Sequence, residues 1–325
     1  MSEARSVSEE VRGDGQGGLR SYYGKPIIKE PTWEWQIPCY FFTGGLAGAS
    51  SGLGLLADLA GNERLTRTAR LAALAGAAAS PVFLILDLGV PKRFYNMLRV
   101  FKPTSPMSVG TWILSVFGTS SGIVAATDVL GIFPRLGKAA ETVAALLGPA
   151  LSTYTAVLLA DTSVPVWHEA RRELPLVFAA SSAASAGAAA TIFTPPEGAG
   201  PARRLLIGGS ALEIAVSEAM KRRLGRLAEP YEKEEAGRYE KLSTALTASG
   251  ATLTVILGRE RSWAATLGGA LALGGAAAKR WAIFKAGFQS ARDPEYTVGP
   301  QRERLESRPP AQRRTQTFER DGSAT

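Results

Sequence analysis

The sequence predicts an all-α integral membrane protein with eight transmembrane helices, and three observations support this fold class. Between residues 38 and 280, runs of Ala, Gly, Leu and Val alternate with short clusters of charged residues. Most of these runs reach the roughly 20 apolar residues that a helix needs to cross a bilayer core. Runs such as 71–86 and 181–193 also lack the polar stripe at helical spacing that a soluble Ala-rich bundle would show.

The eight predicted spans follow one another along the middle of the chain. They cover residues 38–60, 68–88, 108–130, 139–160, 174–193, 204–220, 242–258 and 262–280. The last two are close to the lower length limit and are joined by a tight turn at 258–261. Polar tails at 1–37 and 288–325 flank the spans. The first tail is too long and too polar to be a secretory signal, so we expect direct insertion of the chain.

The distribution of basic residues predicts the orientation of the chain. With eight spans, 28 of the 37 Lys and Arg residues fall on the side of the two tails and nine on the other side. Because Lys and Arg favour the cytoplasmic side, we expect a multi-pass cell-membrane protein with both termini in the cytoplasm. This topology, with contact to anionic membrane lipid, explains the net charge of +8 without a nucleic-acid partner.

The chain has one cysteine, Cys39, and one histidine, His168. A single cysteine cannot form an internal disulfide or hold an iron–sulfur cluster alone. A single histidine excludes a bis-His haem and a His-based zinc site. We therefore expect no haem and no metal in this chain, and a redox role would require cofactors held by partner proteins and a diffusible carrier.

Polar and aromatic residues gather at the span ends that face the tails. Each has a structural interpretation, since the Ser-Pro pair at 105–106 suits a helix cap and the tyrosines suit packing. Their shared side favours a functional role, because tyrosines and carboxylates at one depth can hydrogen-bond a carbonyl headgroup and supply protons. The residues concerned are Trp35, Tyr40, Asp87, Ser105, Tyr154 and Asp161.

Two glutamates lie in the sixth predicted span. A carboxylate in the middle of a membrane is costly, so Glu213 is a candidate functional residue. It would belong either to a proton path or to a polar contact between helices, and the sequence leaves both open. Glu218 lies near the span end, where it can reach the basic residues at 221–226. We expect the whole segment 221–241 to be a solvated helix and loop beside anionic lipid.

The most distinctive segment is residues 87–112, which includes the run Ser105-Pro106-Met107-Ser108. This segment resembles the NrfD/polysulfide-reductase membrane-subunit family, and the resemblance extends over roughly residues 22–305. The other segments that carry it are Trp33 and Trp35 before the first span, Tyr154 with Pro165 and Trp167, Glu229-Pro230-Tyr231 with Ala236-Gly237, and Phe284 with Ser290 and Asp293-Pro294.

The resemblance implies two four-helix bundles, residues 38–165 and 166–287, with a quinone site in the first. The quinone would be menaquinone or ubiquinone, and it would exchange electrons with a docked four-cluster ferredoxin-like iron–sulfur subunit coupled to a molybdopterin catalytic subunit. By motif position, Tyr154 matches a quinone-site tyrosine and Asp161 a polar position. Tyr40 and Ile37 stand where some relatives carry His and Asn.

Together these inferences predict a quinone-interacting membrane subunit of an oxidoreductase complex in electron transport or anaerobic respiration, not catalytic alone. The predicted quinone-binding residues are Tyr40, Tyr154, Trp35 and Ser105. The predicted catalytic residues are Asp87, Asp161 and Glu213; Asp87 or Asp161 would supply protons, and Glu213 keeps the two roles given above. The alternative is a secondary transporter or a passive membrane scaffold. A transporter should show inverted repeats with matching broken helices, but the Gly-Pro pair at 148–149 has no convincing counterpart.

Overall fold

The computed structural model describes residues 27–299, and the regular structure in that range is helical. Residues 1–26 and 300–325, which belong to the predicted polar tails, lie outside the described residues. Short helices in the connections span Pro91–Leu98, Pro165–Glu169 and Gly225–Tyr231. The long helices in the described range are α1 (Gln36–Leu59), α2 (Glu63–Leu86), α3 (Pro106–Leu130), α4 (Pro134–Ala160), α5 (Leu174–Phe193), α6 (Gly200–Leu224), α7 (Glu234–Ile256) and α8 (Ser262–Arg292).

Each predicted span corresponds to one of these helices, but α2, α4 and α6 begin four or five residues earlier than predicted, α6 ends four residues later, and two boundaries differ by more. Helix α7 begins at Glu234 rather than at 242, and α8 continues to Arg292 rather than ending at 280. Both extensions contain charged residues that lower the local hydropathy. Helix formation continues there because charges of the extensions are paired, Glu235 with Lys285 of the other extension and the buried Glu240 with Lys279 of α8.

Within residues 27–299, four helices, α2 to α5, are long and apolar enough to cross a bilayer. In α2 and α3 only 28% of the most apolar 18-residue window is buried, so apolar side chains face outward over most of each helix. Leu71, Val82 and Val129, for example, are all more than half exposed. Apolar surface of this extent is suited to lipid, and the chain is a membrane protein with several apolar helices.

The helices pack through small residues. Helix α1 contacts α2, α4 and α5, α3 packs on α4, and in the second half α7 packs on α8 and α5 on α6. Gly48 of α1 lies so close to Gly148 of α4 that neither position has room for a Cβ atom. Close backbone approach of this kind drives helix association in lipid, where burial of apolar surface does not. Helix α4 runs on through Pro149, so the Gly-Pro pair sits inside a continuous helix.

The beginning of α1 and the end of α8 lie on one side of the molecule, called here the terminal side. Arg292 forms an ion pair with Glu30 at 3.0 Å. Trp167, which is fully buried, stacks on Trp33 with ring centroids 5.8 Å apart and donates a hydrogen bond to the Ile283 carbonyl at 2.8 Å. These contacts join the segment before α1, the short helix at Pro165–Glu169 and the last turns of α8.

On the opposite side of the molecule, an ion cluster joins the four helices α1, α2, α3 and α4. Arg70 donates to both carboxylate oxygens of Glu141, at 2.9 and 2.8 Å, and to both oxygens of Asp128, at 3.1 and 3.0 Å. Lys138 pairs with Asp58 and lies 3.3 Å from Glu141. Arg70 and Lys138 were both counted among the nine basic residues of this side, and the structure shows that both side chains bridge helices. Their pairing fixes the four helices relative to one another at this end.

Candidate functional site

Two tyrosines predicted from the sequence meet between α1 and α4. The rings of Tyr40 and Tyr154 are 6.4 Å apart between centroids and inclined by 61°. Tyr40 is 1% exposed, and its buried hydroxyl has no hydrogen-bond partner within residues 27–299. Tyr154 is partly buried and packs at the margin of the main core. The structure thus brings together an unsatisfied phenol and a second aromatic ring.

Helix α3 supplies the surface on which Tyr154 rests. Gly110 faces the Tyr154 ring, and a Cβ atom at this position would overlap the ring carbons. Glycine is therefore required here by the close approach of the side chain. Three helices, α1, α3 and α4, together determine the position of the Tyr154 ring.

The Tyr40 hydroxyl is the chemically informative atom of this pair. A buried polar group without a partner costs about 1–3 kcal/mol, so such groups in native proteins need a specific reason. A phenol can donate a hydrogen bond to a carbonyl oxygen, and a neighbouring aromatic ring can pack against a planar headgroup. The arrangement suits a flat ligand that carries a carbonyl group.

Trp35 and Asp87 lie at the corner where α1 begins and α2 ends. Asp87 accepts a hydrogen bond from the Glu34 backbone N–H at 3.1 Å, and the Trp35 ring packs edge-on against Phe83 with centroids 6.2 Å apart. Burial raises the pKa of the Asp87 carboxyl above its ordinary value, and the hydrogen bond from Glu34 offsets part of this rise. Asp87 therefore retains its proton to a higher pH than a solvated aspartate would.

Ser105 and Asp161 lie at helix ends, away from the tyrosine pair. The Ser105 side chain accepts a hydrogen bond from the Ser108 N–H at 3.4 Å, so it caps the N-terminus of α3. Asp161 follows the last residue of α4 and is exposed. Among the described contacts, no hydrogen bond or ring contact joins either residue to Tyr40 or Tyr154. Capping accounts for the Ser-Pro pair at 105–106.

Glu213 lies in the second half of the molecule and is fully buried in α6. Its charged neighbours are Lys279 and Arg280 of α8, and Ser181 of α5 lies beside it. Neither carboxylate oxygen forms a hydrogen bond of good geometry within the described part of the chain. The carboxylate is thus surrounded by polar groups while remaining out of contact with solvent.

The buried charges around Glu213 were not predicted from the sequence. Lys279 and Arg280 were counted among the basic residues on the side of the tails, and the segment containing Glu240 was expected to be solvated, whereas these three residues are 2%, 1% and 6% exposed. Lys279 and Glu240 form an ion pair at 2.7 Å. One feature of the sequence could have indicated that α8 continues as a packed helix: small residues recur every three or four positions beyond residue 280, as far as Ser290.

An apolar groove of about 910 Å³ lies between α1, α4, α5 and α6. Among the described residues that line it, only Arg204 is charged. Asn62, Ser152 and Thr153 also line the groove, but their side chains already donate to backbone carbonyls. The groove therefore offers apolar surface and few free hydrogen-bonding groups.

The fold and these buried polar groups define a multi-pass helical membrane protein. The family model described as "Polysulphide reductase, NrfD" matches residues 28–196, which is just over half of the chain. The chain belongs to the NrfD family, as its motifs predicted. The matched region includes α1 to α5 and both tyrosines, whereas Glu213 lies beyond it. No curated protein matches the chain.

Proposed function

We propose that this chain is the quinone-interacting membrane subunit of an oxidoreductase complex. NrfD proteins are generally parts of quinone-linked oxidoreductase complexes. The observation that carries the proposal is the buried, unpartnered Tyr40 hydroxyl beside the Tyr154 ring. The ligand would be menaquinone or ubiquinone, whose carbonyl oxygen would accept a hydrogen bond from Tyr40 while its ring packs against Tyr154.

Asp87 is the best-supported proton carrier for this site. It is partly buried beside the start of α1, and burial raises its pKa, so it keeps its proton to a higher pH than a solvated aspartate does. Trp35 occupies the same corner, and Tyr40 follows it by five residues, or about 7.5 Å along a helix. The exposed Asp161 would exchange protons with solvent at the end of α4, and Ser105 would act indirectly by fixing the start of α3.

The proposed partners, a four-cluster iron–sulfur subunit and a molybdopterin catalytic subunit, would dock on the terminal side. The short helix Pro91–Leu98 supports this location, because none of its residues is buried. It exposes Phe94 and Tyr95, and the adjoining Phe101 is 58% exposed. Aromatic surface interspersed with the basic residues of segment 88–102 is typical of an interaction site.

We further propose that all eight long helices cross the membrane as two four-helix bundles, residues 38–165 and 166–287. Neighbour relations support this division, since α1 to α4 pack on one another, α5 to α8 do likewise, and α5 also contacts α1. Both termini would be cytoplasmic. Without the buried Lys279 and Arg280, 26 Lys and Arg residues remain on the side of the tails and nine on the other side, so the excess of basic residues on the side of the tails persists.

The test is quinone binding by a Tyr40→Phe variant. Loss of one neutral hydrogen bond costs about 0.5–1.5 kcal/mol, so the Kd for a soluble quinone analogue should rise about 2- to 13-fold. Quenching of tryptophan fluorescence in the purified, detergent-solubilised protein measures this Kd. Tyr95→Phe is the matched control, because Tyr95 is 54% exposed and lies outside the site.

A stability measurement separates binding from packing. The Tyr40 hydroxyl has no partner in the described chain, so its removal should leave the unfolding temperature unchanged or raise it. Weaker quinone binding at undiminished stability supports the proposal. An unchanged Kd, or binding that falls only together with stability, would remove Tyr40 as a headgroup ligand.

A further inference from the structure

We infer that Glu213 exchanges protons with solvent on the terminal side through a line of charged side chains. This charge line begins at a polar cleft, passes between α6, α7 and α8, and ends beside α1. It consists of Glu218, Lys221, Glu240, Lys279, Glu213 and Arg280.

The outer end of the charge line opens into a cleft of about 880 Å³. The end of α6, the segment 225–233 and residues 293–299 form its walls, and most of the lining side chains are charged. Glu218 and Lys221 belong to this lining and form an ion pair with each other. Water in the cleft therefore has direct access to the first two members of the line.

Exposure falls steadily from the cleft to the interior. Lys221 lies 3.7 Å from a carboxylate oxygen of Glu240, and Lys279 lies 2.7 Å from the same oxygen. The side chains of Lys221, Glu240 and Lys279 are 16%, 8% and 2% exposed. In an inward transfer Lys279 gives a proton to Glu213, and Glu240 then passes a proton from the Lys221 ammonium to the Lys279 amine, because one Glu240 oxygen faces both lysines. Water in the cleft reprotonates Lys221.

The inner end surrounds Glu213 with polar atoms. Lys279, Arg280 and Glu240 are its charged neighbours, and Ser181 lies beside it. On α6 and α7, the hydroxyls of Ser210, Ser217, Ser243 and Thr247 are also buried without a partner in the described range. Buried polar groups in proteins are satisfied by hydrogen bonds, often from ordered water, so these helices offer sites for water along the charge line.

The line ends close to the tyrosine pair. Arg280 donates to the Phe178 carbonyl and to Ser182, both at 3.1 Å, and its guanidinium lies 3.8 Å from the centroid of the Phe178 ring. The Phe178 ring in turn lies 5.9 Å from that of Phe41, the residue after Tyr40. If the proposed function holds, on which this last step rests, the charge line brings exchangeable protons as far as the aromatic layer that adjoins Tyr40.

A purely structural role for the charge line makes a different prediction. Ion pairs that only hold helices together would keep Glu213 ionised throughout the accessible pH range. A proton route requires the Glu213 carboxyl to gain and lose a proton and to do so quickly. Infrared spectroscopy distinguishes the two, because a protonated carboxylic acid has a carbonyl-stretch band that a carboxylate lacks.

The experiment records infrared difference spectra of the purified full-length protein after pH changes, without quinone. We expect a carboxylic-acid band that is lost in Glu213→Gln. Proton exchange at this band should slow by roughly a hundredfold in Glu240→Gln, the lower range of what a positioned proton-transfer group contributes. The matched control is Glu235→Gln on the same helix, which removes only an exposed ion pair with Lys285 at 3.1 Å.

Two results would overturn the inference: a spectrum with no band that depends on Glu213, or equal exchange rates in the Glu240 and Glu235 variants. If Glu240→Gln does not fold, Lys221→Met at the cleft replaces it, and an unchanged exchange rate in that variant counts equally against the route. Because the measurement uses no quinone, its outcome is independent of the Tyr40→Phe binding test.

Discussion

The ion cluster that joins helices α1, α2, α3 and α4 allows a stability prediction that does not depend on function. Glu141 is almost fully buried and accepts two charge-assisted hydrogen bonds from Arg70, at 2.9 and 2.8 Å. In Glu141→Gln the amide oxygen can still accept one of them, and Arg70 keeps Asp128 as a partner. The variant should therefore lose about one charged hydrogen bond, or roughly 1.5–3 kcal/mol of unfolding free energy.

Reversible unfolding in mixed detergent micelles measures this difference. Arg64→Gln is the control, because Arg64 forms a 3.9 Å pair with Glu197 in which both side chains are at least 70% exposed. An exposed pair contributes at most about 1 kcal/mol, so this variant should unfold nearly as the parent does. Equal stabilities of the two variants would refute the view that the cluster fixes the four helices.

Two further predictions concern the candidate site. Gly110→Ala should weaken quinone binding and lower the free energy of unfolding by about 1–3 kcal/mol, because the new Cβ displaces the Tyr154 ring. Gly118→Ala on the same helix is the control, because free space surrounds this position and neither quantity should change. Equal Kd values for the two variants would contradict the prediction. Asp87→Asn should leave the unfolding temperature unchanged at low pH and raise it above the raised pKa of Asp87, because burial disfavours the carboxylate and Asn can still accept the hydrogen bond from Glu34. Thermal unfolding measured as a function of pH tests the sign of this change.

Local composition was sufficient to predict most of the helices. Spans such as 174–193 and 108–130 agree with α5 and α3 within two residues at each end, because apolar residues fill each helix and the connections are polar. The largest errors are at the beginning of α7 and at the end of α8. There the residues that continue the helix are charged, and hydropathy along the chain cannot distinguish a solvated charge from one buried against a partner helix.

The sites were predicted only in part, and the cause is again that a sequence does not show which helices are neighbours. Tyr40 and Tyr154 could be proposed together because both lie near span ends on one side, and topology alone brings such residues to one depth. The pairing of Glu240 with Lys279, or of Arg70 with Glu141, joins residues 39 and 71 positions apart. Such pairs depend on which helices are neighbours and on their rotation, and neither follows from a single sequence.

The two halves of the molecule place their charges differently, and this difference suits the proposed division of roles. In α1 to α4 the charged side chains of the ion cluster pair near one surface, so the layer around Tyr40 stays uncharged and can accept a neutral quinone ring. In α6 to α8 the charges extend inward to Glu213. Arg280, stacked on Phe178 and next to Gly45 of α1, is where the charged interior meets the aromatic layer. Proton exchange and quinone binding would thus occupy adjoining halves, and a neutral site can receive protons without itself burying an ionised group.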